Sequence, residues 1–340
     1  MLHSSAFDDH HAIPTTAEIT RSAHRTASLG ARIFPSTGLS LYQLAEAIKD
    51  NKLAPVVLAG DSPTVIPGPL GKRAFTRAVF ASSCAAFIRS GYPVLLGGYL
   101  ESAGAHAVCA VGFRESPSTL LAKSAVELAD AYVEHVYIHD DNLGPSVKFR
   151  IHEDASNRVL LKADPPPPRF GLRPCEPTLK YPAFYPTEII AAVHEDLRMS
   201  PGILHRRGME VATGMHLVIA KVLTARGAKP LPGFWLSSRF IKLAEYLRDD
   251  LTKVVKSNRD LGRVRLSLME NVPPMSLHLG VVRLSLAGAI PIVDLLFDTT
   301  DSDRDPLVFA HVVFANEAER IVAALATSQS LNLGKAVIAY

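Results

Sequence analysis

A chain of 340 residues is too long for one ordinary hydrophobic core, so two domains are expected. With 48% hydrophobic and 20% charged residues it is not a disordered chain, and a net charge of +3 without a dense Lys/Arg run does not point to a nucleic-acid footprint. No apolar run approaches the roughly 18 residues of a membrane helix, and Cys84, Cys109 and Cys175 lack the paired spacing of a disulfide framework or zinc knuckle.

A reducing cytoplasm is the expected setting, since the opening MLHSSAFDDHHAIP has no apolar core of signal-peptide length. His3, His10 and His11 there read as part of a frayed tail rather than a metal site. Thr15 or Thr16 caps a short helix with Glu18 in its first turn. Thr37-Gly38-Leu39-Ser40 opens a second helix, with Leu41, Leu44, Ala45 and Ile48 at helical spacing. Val56-Val57-Leu58 is a short strand. Lys72 to Ser90 is helical again, with a buried stripe of Phe75, Val79, Ser82 or Ser83, and Ala86, and Gly91 ends it. Cys84 lies mid-helix, where a small buried core thiol is the expectation.

From Tyr92 to Pro145 three short apolar runs are bounded by Gly, Pro or Asp, the pattern of neighbouring strands in a buried sheet. In HAVCAVGF, alternation puts His106, Val108 and Ala110 on one face and Ala107, Cys109 and Val111 on the other. In VEHVYIHDD, Asp140 shares a face with Ile138 and Val136 and is opposed by His139, Tyr137 and His135. If the two strands pair antiparallel, His106 at the start of one meets Asp140 at the end of the other. Between them Ser116 to Asp130 is a helix or a structured loop, and Asn142-Leu143-Gly144-Pro145 is turn chemistry.

VKFRI and VLLKAD lead to Pro165–Pro168, a stiff extended connector. The expected division is therefore a domain over 1–163, a linker over 164–175 and a domain over 176–340. In that last part Thr187 caps a predicted helix, EIIAAVHEDLRM, and a longer helix spans 210–226. A third, SSRFIKLAEYLRDDLTKVV, is capped near Ser237, just after the single Trp235. VRLSLME, LHLGVVRLSL, IPIVDLLFDTT and VFAHVVFA read as strands, and EAERIVAALA as a helix. The acidic run Asp298 to Asp305 has no Gly at the sixth loop position or Glu at the twelfth counted from Asp301, so it reads as a solvated turn, not a calcium loop.

The stretch 92–145 resembles the papain-like cysteine peptidases, above all a bacterial branch similar to bacteriocin-leader-processing peptidases. The motifs that carry the likeness are Ala105-His106-Ala107-Val108-Cys109-Ala110-Val111-Gly112-Phe113 and Tyr137-Ile138-His139-Asp140, and it covers about 130 residues from near Pro14 to Pro145. The resemblance implies an α+β fold, a papain-like antiparallel sheet with packed helices, followed by a second α+β domain. It assigns His106 as general base and Asp140 as the residue that orients it. The family's nucleophilic Cys helix and oxyanion donor have no counterpart, because no Cys precedes Cys84. That pattern suggests a shortened gene, a start downstream of the ancestral one, or an inactive relative.

Three functions are compatible with these residues. The first is a thiol hydrolase acting on a peptide or protein, with Cys84 or a partner chain supplying the nucleophile to His106 and Asp140. The second is a non-enzymatic binding or scaffold component of a bacterial assembly. The third is a metal-dependent acyltransferase or hydrolase built on the acidic run. No cofactor, metal, nucleic-acid or membrane site is expected, and no residue pattern fixes the oligomeric state.

Overall fold

The structure, a computed structural model, describes residues 14–25, 39–59, 75–101, 104–114, 122, 124–154, 169–229, 232–255, 258–271, 276–286, 290–300, 308–314 and 335–338. The chain divides into two units, each drawn from separated stretches. One comprises Met1–Arg77, Gly91–Arg114 and Glu134–Leu197; the other comprises Ala78–Ser90, Glu115–Val133 and Arg198–Tyr340.

The first unit begins with two helices, α1 (Thr16–Arg25) and α2 (Leu41–Asp50). At the start of α1 the Thr15 hydroxyl accepts from Glu18 N at 3.2 Å and the Glu18 carboxylate accepts from Thr15 N at 2.7 Å. Ser40 and Gln43 repeat this reciprocal capping at α2, so two otherwise orphaned donors are satisfied at each end. Ser22 donates to Asp50 at 2.6 Å and ties the helices together.

The rest of this unit is a sheet of β1 (Ala54–Ala59), β2 (Val94–Leu100), β3 (Gly104–Arg114), β5 (His135–Asp140), β6 (Gly144–Asp154), β7 (Arg169–Pro174) and β8 (Phe184–Val193). The strands run in the order β1-β8-β2-β3-β5-β6-β7, every pair antiparallel. A further pair, Leu172 with Phe184, joins β7 to β8 and closes six of the strands into a barrel. β1 lies outside that ring, on the later half of β8. Val94, Leu96, Ala110, Val136, Ile138, Phe149 and Leu172 are almost wholly buried, at alternate positions along their strands.

The second unit is a mixed sheet of six strands in the order β13-β12-β11-β10-β9-β4. Its strands are β4 (Val126–Leu128), β9 (Phe234–Lys242), β10 (His278–Leu286), β11 (Ile290–Asp298), β12 (Val308–Val313) and β13 (Lys335–Ile338). The two edge pairs, β4–β9 and β12–β13, are parallel and the rest antiparallel. On one face lie α3 (Arg77–Arg89) and α4 (Pro201–Ala225): Phe87 meets Phe240 with ring centroids 6.1 Å apart, and His205 of α4 bonds Ser238 of β9 at 2.6 Å. A Cβ on Gly208 would lie 2.9 Å from the methyls of Val282, so α4 can approach this closely only with glycine there.

The other face carries a π turn at Tyr246–Asp250 and α7 (Asn258–Asn271), reached through the short helices α5 (Leu243–Glu245) and α6 (Leu251–Val254). Leu261, Val264 and Leu268 of α7 pack with Leu279, Val281, Leu296 and Val312. Four charged side chains meet on this face, three of them buried and Arg283 nearly so. Arg283 makes two 2.7 Å bonds to Asp294 and one of 3.0 Å to Asp250, Arg239 also donates to Asp250, and Tyr246 donates to Asp294 at 3.1 Å. Two arginines against two aspartates leave no net charge, the condition under which such burial is tolerated.

The expected papain-like α+β arrangement is corrected by this architecture. Mixed α and β content is present, but the first unit closes into an antiparallel barrel instead of a sheet packed by helices. The reason lies in β8. EIIAAV, read above as a helix, contains Ile189, Ile190 and Val193, all buried together with both alanines between β1 and β2. A run apolar on both faces suits a central strand as well as a helix, and pairing with β1 and β2 decides for the strand. SSRFIK is likewise strand β9, not helix. VRLSLME is the last turns of α7, with Leu266 and Met269 exposed and Val264 and Leu268 inward; its apparent alternation is a sampled helical period. The proline run 165–168, the VLLKAD segment and EAERIVAALA lie outside the described residues.

His205 is buried, and burial, opposed weakly by Asp130 and aided weakly by Arg89, lowers its pKa to about 4. The unfolded chain then binds a proton that the folded one refuses, so stability is full above the ordinary value and falls as pH drops from about 6.5 to about 4. We expect the second unit to lose about 3 kcal/mol across that window, read by fluorescence of Trp235, the single tryptophan. His205→Gln should flatten the pH dependence; an unchanged slope would refute the assignment.

Candidate functional site

At one end of the barrel β3 turns His106 to the same side as Val108 and Ala110, while Cys109 looks to the other face. The registered partners of these three on β2 are Gly98, Leu96 and Val94. Gly98 leaves no space for a side chain. A Cβ there would sit 2.3 Å from the Tyr185 carbonyl oxygen and 2.9 Å from both Phe184 Cζ and Pro186 Cα. The backbones of β2 and β8 therefore close tightly beside His106, whose ring meets Phe184 edge-on at 6.2 Å.

β5 delivers the acid. The pair Cys109–His139 places Asp140 one step further along, and His106 reaches it diagonally across the strands. His106 Nε2 lies 2.9 Å from Asp140 Oδ2. Asp140 is gripped from every side: Oδ1 accepts from the backbone N–H of Asn142 at 2.7 Å and of Leu143 at 3.2 Å, and Tyr181 donates its hydroxyl to Oδ2. Gly144, at φ +99°, lets the chain turn back into β6 directly after these donors.

Burial by itself would raise the pKa of Asp140. The hydrogen bonds from Tyr181, His106 and the Asn142 N–H outweigh it and hold the carboxyl below its ordinary range. Burial and the bond to Asp140 together push the Tyr181 phenol well above its usual value. Tyr181 thus stays a donor and Asp140 an acceptor at neutral pH. A carboxylate can only accept, so the neutral imidazole carries its proton on Nε2 and its lone pair on Nδ1.

The structure thus brings His106 and Asp140 together. It adds two residues that the sequence reading did not single out. Tyr181 lies between β7 and β8, beyond the proline run, so nothing local linked it to the 92–145 stretch. Asp141 follows Asp140 in the turn; its Oδ1 is 3.6 Å from His106 Nε2 and its side chain is 79% exposed. His106, Asp140 and Asp141 each offer one ligand atom, all within 4.8 Å of one another.

The thiols are placed differently. Cys84 is fully buried in α3, and burial drives its pKa far upward. Burial also pushes Cys109 up to about 11. Cys175 is exposed, just after β7. A protonated, buried thiol is inert, because the thiolate is the reactive species. Of the acidic run, Asp298 accepts from the N–H and hydroxyl of Thr300 at 2.9 and 2.7 Å, and residues 301–307 lie outside the described residues.

Two outcomes follow from this geometry. Iodoacetamide at pH 8 should label Cys175 in the native protein while Cys84 reacts only in denaturant; rapid native labelling of Cys84 would contradict its burial. Gly98→Ala should destabilise the barrel by about 1–3 kcal/mol, the usual range for overpacking, seen as a lower urea midpoint. No family model, curated protein or solved structure matches this chain.

Proposed function

We propose that the barrel unit carries the acid–base half of a thiol-hydrolase-type site, directed at peptide or other acyl groups, in a chain whose Cys84 is buried and inert. The observation that supports this reading is the 2.9 Å contact between His106 Nε2 and a buried, ionised Asp140. In such a reaction Nδ1 of His106 takes a proton from the attacking oxygen or sulfur as that atom bonds to the acyl carbon. The resulting imidazolium is held by Asp140, then returns the proton to the leaving group as the acyl bond breaks. With water as attacking group, no atom of the chain is consumed.

Positioned acid–base help is worth on the order of a hundredfold or more, whereas loss of a covalent nucleophile removes factors on the order of a million in serine-protease-type sites. The expected activity is therefore weak. The buried Cys84 favours a second reading, in which the same barrel end binds a peptide or protein without turning it over, as a component of an assembly.

Hydrolysis of p-nitrophenyl acetate and of a mixed peptide pool by the full chain tests the choice. Under the first reading His106→Ala lowers the rate above buffer by about 100-fold or more. Identical rates in wild type and variant would end the enzymatic reading and leave binding.

A further inference from the structure

We propose that His106, Asp140 and Asp141 form a site for a divalent transition-metal ion of the zinc class, and that the ion switches the acid–base pair off. The binding half stands on the geometry alone; the regulatory half rests on the reading of His106 as a base.

The spacing of the ligand atoms carries the binding half. Zinc-class ions hold nitrogen and carboxylate oxygen at about 2.0–2.2 Å, so neighbouring ligands stand about 3.0 Å apart in an octahedral shell and about 3.4 Å apart in a tetrahedral one. Here Nε2 lies 2.9 Å from Asp140 Oδ2 and 3.6 Å from Asp141 Oδ1. Two of the three separations thus already match coordination spacing, and all three atoms lie within 4.8 Å of one another. One imidazole nitrogen with two carboxylate oxygens is a borderline donor set, suited to zinc, cobalt or manganese better than to calcium. Three protein ligands leave one tetrahedral position open.

The surroundings are pre-organised. Asp140 cannot swing away, because the Asn142 and Leu143 N–H groups hold Oδ1 and the Tyr181 hydroxyl holds Oδ2. A ligating carboxylate steadied by such outer hydrogen bonds is the usual support of a metal centre. Asp141 is mostly exposed and supplies both the entry path and the movable third ligand. An acid–base pair needs only Asp140; a second carboxylate aimed at the same nitrogen has no part in orienting the ring.

The switch follows from which nitrogen is used. Without the ion, Nε2 carries the proton and Nδ1 the lone pair. An ion can bond Nε2 only through its lone pair, so the neutral imidazole must move its proton to Nδ1. The proton leaves one nitrogen and appears on the other through solvent, with no net release. The atom that accepted a proton in the acyl reaction then has nothing with which to accept it.

Titration of the full chain with zinc, followed by calorimetry, and with cobalt, followed by visible absorption, tests the site. Both are done in a Cys175→Ser background, with the imidazole tautomer of His106 followed by nitrogen NMR. The expected result is one ion equivalent lost, or bound at least tenfold more weakly, in Asp141→Asn, a substitution at an exposed position. Loading should also move the His106 proton signal from Nε2 to Nδ1. Equal titrations for Asp141→Asn and its parent would overturn the site, leaving adventitious binding only. Hydrolysis in chelator is measured in parallel. Activity there with no Asp141-dependent ion sinks this inference and spares the acid–base reading. An Asp141-dependent ion with no activity in chelator sinks that reading, and with it the switch, and leaves the metal site. Zinc-loaded protein as active as chelated protein refutes the switch alone.

Discussion

The barrel depends on one strand whose second edge is shared by two neighbours. β8 pairs with β2 from Phe184 to Ala191, with β1 along its later half and with β7 at its first residue. Without the Leu172–Phe184 contact the six strands would be an open sheet with two exposed edges, and an open edge presents unpaired N–H and C=O groups to any passing strand. Closure lessens that hazard. It also fixes what lies inward at each end, because the side-chain period along a strand is two. His106, Gly98 and Asp140 occupy the end of the barrel for that reason.

What distinguishes Asp140 from the other acids is the number of groups that address it. Two backbone N–H groups, one phenol and one imidazole converge on a side chain with no solvent exposure. In the second unit the same electrostatic problem, a buried carboxylate, is solved with guanidinium groups, and Asp250 and Asp294 answer to Arg239 and Arg283. The difference matters chemically. An arginine cannot give up its proton, so that cluster is fixed. A histidine partner instead keeps a ring nitrogen that can bind a proton or a metal ion, which a guanidinium cannot.

Much of the strand pattern could be read from residue order. The alternation of HAVCAVGF and VEHVYIHDD put His106 and Asp140 on the proper faces, and Gly91, Ser40 and Thr15 marked helix ends through their local chemistry. Local patterns failed where burial was two-sided or where distant segments decided the outcome. EIIAAV is apolar throughout, so periodicity could not tell strand from helix, and β1 and β2, far away in sequence, chose strand. VRLSLME alternated by accident over a stretch too short to expose its helical period. Tyr181 was invisible because its role comes from barrel closure, not from any neighbour in the chain. The papain-like likeness was carried by two short strands, and strands of that kind are compatible with more than one way of completing a sheet.

Each unit is stitched from three separated stretches, and this sets a schedule for synthesis. Ala54 of β1 must wait for Val193 of β8, about 140 residues later. At about 5–20 residues per second the ribosome makes that edge wait on the order of ten seconds. Meanwhile β2 and β3, complete early, stand as an unclosed hairpin with an apolar face. The nascent chain thus exposes that face until the strands that complete the barrel have been made.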